Sequence, residues 1–154
     1  MSNRKHSLVL FAALLLGAGC TTSKNWRELL VDKLPIGVVY SDIEFVAVHD
    51  GYVASIADSD AGLGTWHSKW RLKQLPLGRP GRFRLSAEIH EDGRAGGWRV
   101  RWCIEQQRVK DLGKSIDYVE DDWSDDGQDA ERELLFGERL SRRLRVAKTP
   151  ADRS

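Results

Sequence analysis

Two neighbouring stretches, RFRLSAEIHE (residues 82–91) and WRVRWCIEQQRVK (residues 98–110), decide the predicted fold because both alternate between two kinds of side chain. Along most of each stretch, every second residue is aromatic or aliphatic, and the residues between are charged or polar. A period of two places the two kinds on opposite faces of a β-strand. The short connection at residues 92–97 contains three glycines, so the stretches predict an antiparallel pair with one apolar face.

Flanking segments extend this pair to a sheet of about five strands. Residues 66–75 alternate in the same way, and residues 45–49 and 52–56 flank Asp50-Gly51, a dipeptide typical of a tight hairpin turn. Residues 26–34 follow a candidate cap, Asn25, and end before Pro35, which predicts a short N-terminal helix. Residues 111–126 read as an irregular acidic connection.

A longer helix is predicted at about residues 127–146, where Asp125 or Asp126 could cap its start. Acidic residues cluster in its first turns and basic ones in its last, which complements the helix dipole. Gly137 in its middle suggests a close approach to the sheet. The predicted inner side carries Ala130, Leu134, Leu140 and Leu144. The fold class is therefore α+β: an antiparallel meander of about five strands, a short N-terminal helix and a longer C-terminal helix packed on one face.

The N-terminus has the composition of an export signal. Residues 2–6 are polar and basic, residues 8–16 are apolar but too few to span a bilayer, and Gly17-Ala18-Gly19 stand directly before Cys20. This arrangement resembles the lipobox of bacterial lipoproteins, with Gly17 where that family usually has a branched residue. In the family the cysteine thiol is acylated and the peptide is cut just before it. A plain secretory signal and an N-terminal membrane helix are the alternatives.

The resemblance implies four parts: a signal peptide (1–19), a lipidated tether (20–24), one α+β domain (25–147) and a disordered tail (148–154). Thr21, rather than an aspartate retention signal, implies the periplasmic face of the outer membrane. The partners implied are the membrane, through the lipid anchor, and an outer-membrane or periplasmic protein. Nucleic acid is disfavoured by the compartment, and no cofactor is expected. Cys103, the other cysteine, is expected to be a small buried hydrophobe or a free thiol.

One sheet face is predicted to be basic, although 24 basic and 23 acidic residues leave the whole chain near neutral. If residues 66–75, 82–91 and 98–110 are neighbouring strands, seven cationic side chains share this face. Arginine matches phosphate and carboxylate geometry, so the face is a candidate site for lipopolysaccharide, an anionic lipid or an acidic glycan. The alternative is a solvated face neutralised by the acidic segment 120–133. The seven residues are Lys69, Arg71, Lys73, Arg82, Arg84, Arg99 and Arg101.

Residues 122–133 resemble an EF-hand calcium loop in the spacing of their oxygen donors. Trp123 and Asp129 depart from that pattern, and an acidic helix cap beside a tight turn at Gly127 explains the same residues. The candidate ligands are Asp122, Ser124, Asp126 and Glu133.

No HExxH, GxSxG or phosphate-cradling glycine loop is present in the sequence, and the histidines of the predicted domain are dispersed. The sequence therefore favours a non-catalytic envelope lipoprotein, a structural or assembly accessory that acts through a protein partner. The alternative function is binding of an anionic envelope ligand through the basic face. The mature part resembles small uncharacterised envelope lipoproteins.

Overall fold

The computed structural model describes residues 24–93, 96–113 and 119–144. These residues form one six-stranded antiparallel sheet and two α-helices, which confirms the α+β class. The elements are β1 (Arg27–Val31), α1 (Ile36–His49), β2 (Thr65–His67), β3 (Arg71–Gln74), β4 (Pro80–Asp92), β5 (Gly97–Val109), β6 (Trp123–Gln128) and α2 (Ala130–Arg143). Cys20, the signal peptide and the tail at 148–154 lie outside the described residues.

The two long stretches that opened the sequence analysis form the centre of the sheet. Strands β4 and β5 pair in register, with Leu85 opposite Ile104 and Ser86 opposite Cys103. Strands β2 and β3 both pair with β4, and strands β1 and β6 both pair with β5. The apolar side of this pair packs under both helices, and its residues Phe83, Leu85, Val100 and Ile104 are fully or almost fully buried. We call this side the helix face and the opposite side the open face.

The predicted hairpin at residues 45–56 is wrong, because residues 45–49 belong to α1. Val39, Ile43 and Val46 are buried at helical spacing against the sheet. Asp50-Gly51 ends the helix instead of turning a hairpin. Gly51 has a φ of +83°, and its N–H bonds the carbonyl of Val48 while the N–H of Tyr52 bonds that of Ala47. This is the hydrogen-bond pattern of a Schellman helix end.

The predicted N-terminal helix at residues 26–34 is also wrong, because its centre forms the edge strand β1. Leu29 lies opposite Val100 and Val31 opposite Trp98, so these two side chains reach the helix face with a period of two. Tertiary packing against β5 therefore overrides the helical spacing of the apolar residues.

The predicted strand at residues 66–75 is broken into β2 and β3. Trp66 lies opposite Ala87, and Arg71 lies opposite Phe83, so both point to the helix face although they are an odd number of residues apart. Ser68 causes the break: its backbone N–H bonds the carbonyl of Leu85, and its hydroxyl accepts a bond from the N–H of Leu85. Every side chain after the break is therefore on the face opposite to the one predicted.

The predicted C-terminal helix exists but begins later, because Asp129 caps it by accepting from the N–H of Arg132. Residues 123–126 of the predicted acidic connection and residues 127–128 of the predicted helix instead form β6. On α2 the buried residues include Phe136 and Leu140, whereas Leu134, predicted to face inward, is exposed. The close approach at Gly137 is confirmed, since an added Cβ would lie 2.4 Å from Cζ2 of Trp102.

Candidate functional site

The seven basic residues predicted to share one face do not do so. The open face carries Arg82 and Arg84 on β4 and, several rungs further along the ladder, Arg99 and Arg101 on β5. Arg71 and Lys73 point instead to the helix face, because the break at Ser68 reverses the side-chain direction. Lys69 lies within the break. The common-face prediction therefore holds for four of the residues: Arg82, Arg84, Arg99 and Arg101.

Three of these four arginines pair with carboxylates on the same face. Arg84 lies opposite Glu105 in the ladder and its Nε donates to Glu105 Oε2 at 2.8 Å. Arg101 lies opposite Glu88, and its Nη2 donates to Glu88 Oε2 at 2.6 Å. Arg99 is within 4 Å of two further carboxylates, those of Glu28 and Asp92. Opposite charges directly across an antiparallel ladder stabilise the pairing of the strands.

Hydrogen bonding keeps the central carboxylates ionised. Desolvation raises the pKa of Glu105, but hydrogen bonds and charge from Arg84 and Lys24 outweigh it, so its pKa lies below the ordinary value. The pKa of Glu88 is likewise lowered, because the bonds from Arg101 and His90 exceed its desolvation. An incoming anion would have to compete with these carboxylates for the guanidinium groups.

Arg82 is the most buried of the four arginines and is held by aromatic rings. Its guanidinium carbon lies 4.4 Å from the ring centroid of Trp70 and 4.6 Å from that of Trp123. Its Nη1 donates to Glu120 Oε2 at 2.9 Å, and its Nε donates to Gln107 at 2.8 Å. The bond from Arg82 lowers the pKa of Glu120. Arg82 thereby fixes the segment that leads into β6 against the sheet.

The other tryptophan contacts extend this layer across the open face. The guanidinium carbon of Arg84 lies 4.6 Å from the ring centroid of Trp70, and that of Arg101 lies 5.2 Å from the ring centroid of Trp26. Guanidinium planes stack on aromatic faces and keep N–H donors at their edges. The open face is therefore a layer of alternating arginine, carboxylate and indole groups.

At the centre of the open face, Ser86 Oγ lies 3.0 Å from His67 Nδ1 and 3.5 Å from Glu105 Oε2. Ser86 is fully buried, and the hydroxyl stands between the imidazole and the carboxylate. In a catalytic triad the imidazole, not the hydroxyl, stands between the other two groups. The order of the three groups here therefore differs from that of a triad. Burial, followed by the charge of Arg84, lowers the pKa of His67. Burial raises the pKa of the Cys103 thiol to about 12, so the thiol stays protonated.

The structure does not bring the four candidate calcium ligands together. Ser124 and Asp126 lie on the strand β6, and Asp122 precedes it. Glu133 is buried on α2, where its Oε1 accepts from the N–H of Ile104 at 3.0 Å and from Gln128 at 2.8 Å. In the part of the chain that the structure describes, no group of three or more His, Cys, Asp or Glu side chains is placed to hold a metal ion.

A surface that the sequence analysis missed lies on the solvent side of α1. Val38 is 45% exposed, Phe45 is 54% exposed and Val48 is 56% exposed, and Ser41 lies among them. We call these four residues the α1 stripe. Their spacing of three, four and three residues is that of a helix seam that packs on another helix. The apolar run at 45–48 was a signal for this surface, but it was interpreted as a strand.

Basic residues of α2 border the α1 stripe. The guanidinium carbon of Arg143 lies 3.7 Å from the ring centroid of Phe45, and its Nε donates to Asp42 at 2.5 Å. Arg139 pairs with Asp50. Three arginines of α2 form one wall of a shallow groove: Arg139, Arg142 and Arg143. The floor of the groove is formed by Phe45, Val46 and His49.

None of the helices in the described ranges is long and apolar enough to span a membrane. The cross-strand carboxylates could have been predicted, because the pairing of Asp92 with Gly97 also places Glu88 opposite Arg101 and Glu105 opposite Arg84. A scan against protein-family models finds no match to the chain. A search of curated proteins finds no similar sequence.

Proposed function

We propose that this protein is a non-catalytic accessory of the bacterial cell envelope, anchored by lipid at Cys20, that binds a protein partner through the α1 stripe. The observation that carries the proposal is the exposure of Val38, Phe45 and Val48 on a helix whose other side is already buried in the core. Contiguous exposed apolar groups on a folded domain mark interaction sites.

The chemistry of the groove supports a helical partner segment. Anchors at intervals of three and four residues are the spacing by which one amphipathic helix recognises another. Arg142 is largely exposed, and its Nη2 approaches Glu138 Oε2 at 3.9 Å. Since an arginine has five N–H donors, the wall of the groove can also bind carboxylates at the edge of a partner helix.

The alternative, an anionic ligand on the open face, is supported by its four arginines. It is weaker because each of these arginines already pairs with a carboxylate of the same domain. Binding through exposed charge would also decline steeply with salt, since the Debye length is about 10 Å at 0.1 M salt.

Site-specific photo-crosslinking in intact bacterial cells tests the proposal. A photoreactive residue is placed at Val48 or, as a matched control, at the exposed Glu131 of α2. We expect one discrete crosslinked protein at position 48 and none at 131, with loss of that product when Phe45→Asp is added. Equal products at both positions, or none at position 48, would contradict binding through the α1 stripe.

The lipid anchor is tested separately. Cys20→Ala is expected to leave unprocessed precursor or to release the protein from membranes, because the acyl chains supply the membrane affinity. Unchanged processing and membrane retention in this variant would contradict the anchor and leave the α1 stripe to be judged by the crosslinking result.

A further inference from the structure

The geometry points to a fixed orientation on the membrane: the open face lies against the phospholipid headgroups, and the α1 stripe points away from them. This inference rests on the lipid anchor of the proposed function. It goes beyond that function because it assigns a role to each face of the domain and names the surface that covers the open face.

The tether is short, and the domain that it joins begins beside the open face. The described chain begins at Lys24, whose Nζ lies 3.2 Å from Glu105 Oε1 on the open face. Only three residues lie between Cys20 and Lys24, and the four extended Cα-to-Cα steps from one to the other span at most about 14 Å. The acylated end of the chain is therefore held near the open face.

The domain is thicker than the tether is long. The helices cover the opposite side of the sheet, and a helix with its side chains is about 10–12 Å across. Adding the spacing of packed layers, about 10 Å, places the α1 stripe about 20 Å from the open face. The tether is too short to bring that side of the domain to the bilayer, and the contact of Lys24 with Glu105 directs it to the open face.

The open face also carries exposed leucines. Leu72 on β3 lies opposite Arg82, and Leu30 on β1 lies opposite Arg99, so both leucines are on this face. Leu72 is 72% exposed and Leu30 is 39% exposed. Their positions flank the layer of arginine and indole groups on its two sides.

Amphipathic side chains suit the boundary between headgroups and acyl chains. Tryptophan is enriched there because its ring is apolar and its N–H is polar, and arginine extends its charge to the aqueous side. Trp26 and Trp70 are partly exposed on the open face. Because the arginines are already paired, contact rests on the leucines, the indoles and the anchor more than on net charge.

Fluorescence quenching in vesicles tests the orientation. The lipidated full-length protein carries one introduced cysteine, Leu72→Cys or Val48→Cys, labelled with the same fluorophore. Cys103 is buried and protonated and does not compete for the label. The vesicles contain phosphatidylethanolamine, phosphatidylglycerol and a lipid with a nitroxide on its headgroup.

We expect the nitroxide lipid to quench the label at position 72 several-fold more strongly than the label at position 48. Equal quenching at the two positions, or stronger quenching at position 48, overturns the orientation. Both replaced side chains are well exposed, so neither variant is expected to unfold.

Mass spectrometry of the same samples separates the two proposals. An acylated protein with the reversed quenching pattern overturns the orientation alone. A protein without acyl chains overturns the anchor and the orientation together. The Cys20→Ala protein is the matched control, and neither label on it is expected to be quenched.

Discussion

The two helices are equal in length, 14 residues each, and pack on the same face of the sheet, but they are built differently. Helix α2 has a side-chain cap at Asp129, acidic residues in its first turn and basic residues in its last. Helix α1 begins after Pro35 with no side-chain cap and no acidic first turn. Local sequence therefore specifies α2, whereas α1 depends on the core that it covers.

The solvent sides of the helices differ as well. That of α2 carries charged residues such as Glu131, Glu138 and Arg142, although Leu134 and Leu135 are also exposed. The solvent side of α1 carries the α1 stripe. The difference indicates that α2 closes the domain against water, and that α1 has a second apolar side available to another molecule.

The largest expected effect is at the buried side of α2. Phe136→Ala should destabilise the protein by about 3–5 kcal/mol, because it removes a fully buried ring that packs against Trp102. Phe45→Ala on the α1 stripe should cost about 1 kcal/mol or less, because the half-exposed ring loses mainly its contact with the Arg143 guanidinium. Urea unfolding measures both. Similar losses for the two variants would mean that the α1 stripe is part of the core.

The next effect concerns the closest approach between α2 and the sheet. Gly137→Ala should lower stability by a net amount of up to about 2 kcal/mol. Overpacking costs about 1–3 kcal/mol, which exceeds the helix preference for alanine of about 1 kcal/mol. The Trp102 ring is fixed, because its Nε1 donates to the carbonyl of Glu133 at 2.9 Å. A raised midpoint in thermal unfolding would show that α2 can shift outward.

Removing the cap of α2 should have an intermediate effect. Asp129→Ala is expected to cost about 0.5–2 kcal/mol near neutral pH. Burial raises the pKa of Asp129, but bonds from Lys73 and from the N–H of Arg132 lower it overall, below its ordinary 3.8. The stability from its ionised form is present above that value and is lost as pH falls through the lower folded pKa.

Thermal unfolding as a function of pH measures this cap. The difference between wild type and Asp129→Ala should be constant near neutrality and should shrink below about pH 4. A difference that does not change with pH would mean that neither Lys73 nor the N–H of Arg132 binds the ionised carboxylate more strongly than the protonated one, and would contradict the lowered pKa.

The smallest effect should be a gain on α1. Gly37→Ala should raise stability by about 0.4–1 kcal/mol, because an added Cβ meets nothing within 4 Å and the unfolded chain loses freedom. The same change thus has opposite signs at Gly37 and Gly137. Thermal midpoints of the two variants, measured together, test the contrast. A loss at Gly37 would mean that the start of α1 packs more tightly than described.

The sequence predicted β4, β5 and α2 because their local patterns agree with their surroundings. It did not predict α1, since Phe45-Val46-Ala47-Val48 is apolar on every side and so has no clear helical period. The adjacent Asp50-Gly51 suits either a hairpin or a helix end. Only the packing of Val39 and Ile43 against the sheet distinguishes the two.

The candidate site was predictable to the same extent. Arg82, Arg84, Arg99 and Arg101 lie on two long strands, whose alternation placed them correctly. Arg71 and Lys73 follow a break that depends on hydrogen bonds from Ser68 to another strand, and no periodicity within the segment can indicate it. Long-range contacts of this kind decide the face of a short edge strand.

The buried thiol at the centre of β5 can be used to measure how often the sheet opens. Cys103 is fully buried, so a reagent or an oxidant reaches its sulfur only when neighbouring strands separate. In an oxidising compartment, an intermolecular disulfide at this residue would therefore form only from molecules that have opened. The rate at which a reagent modifies this thiol under native conditions then reports how often the strands in the middle of the sheet separate.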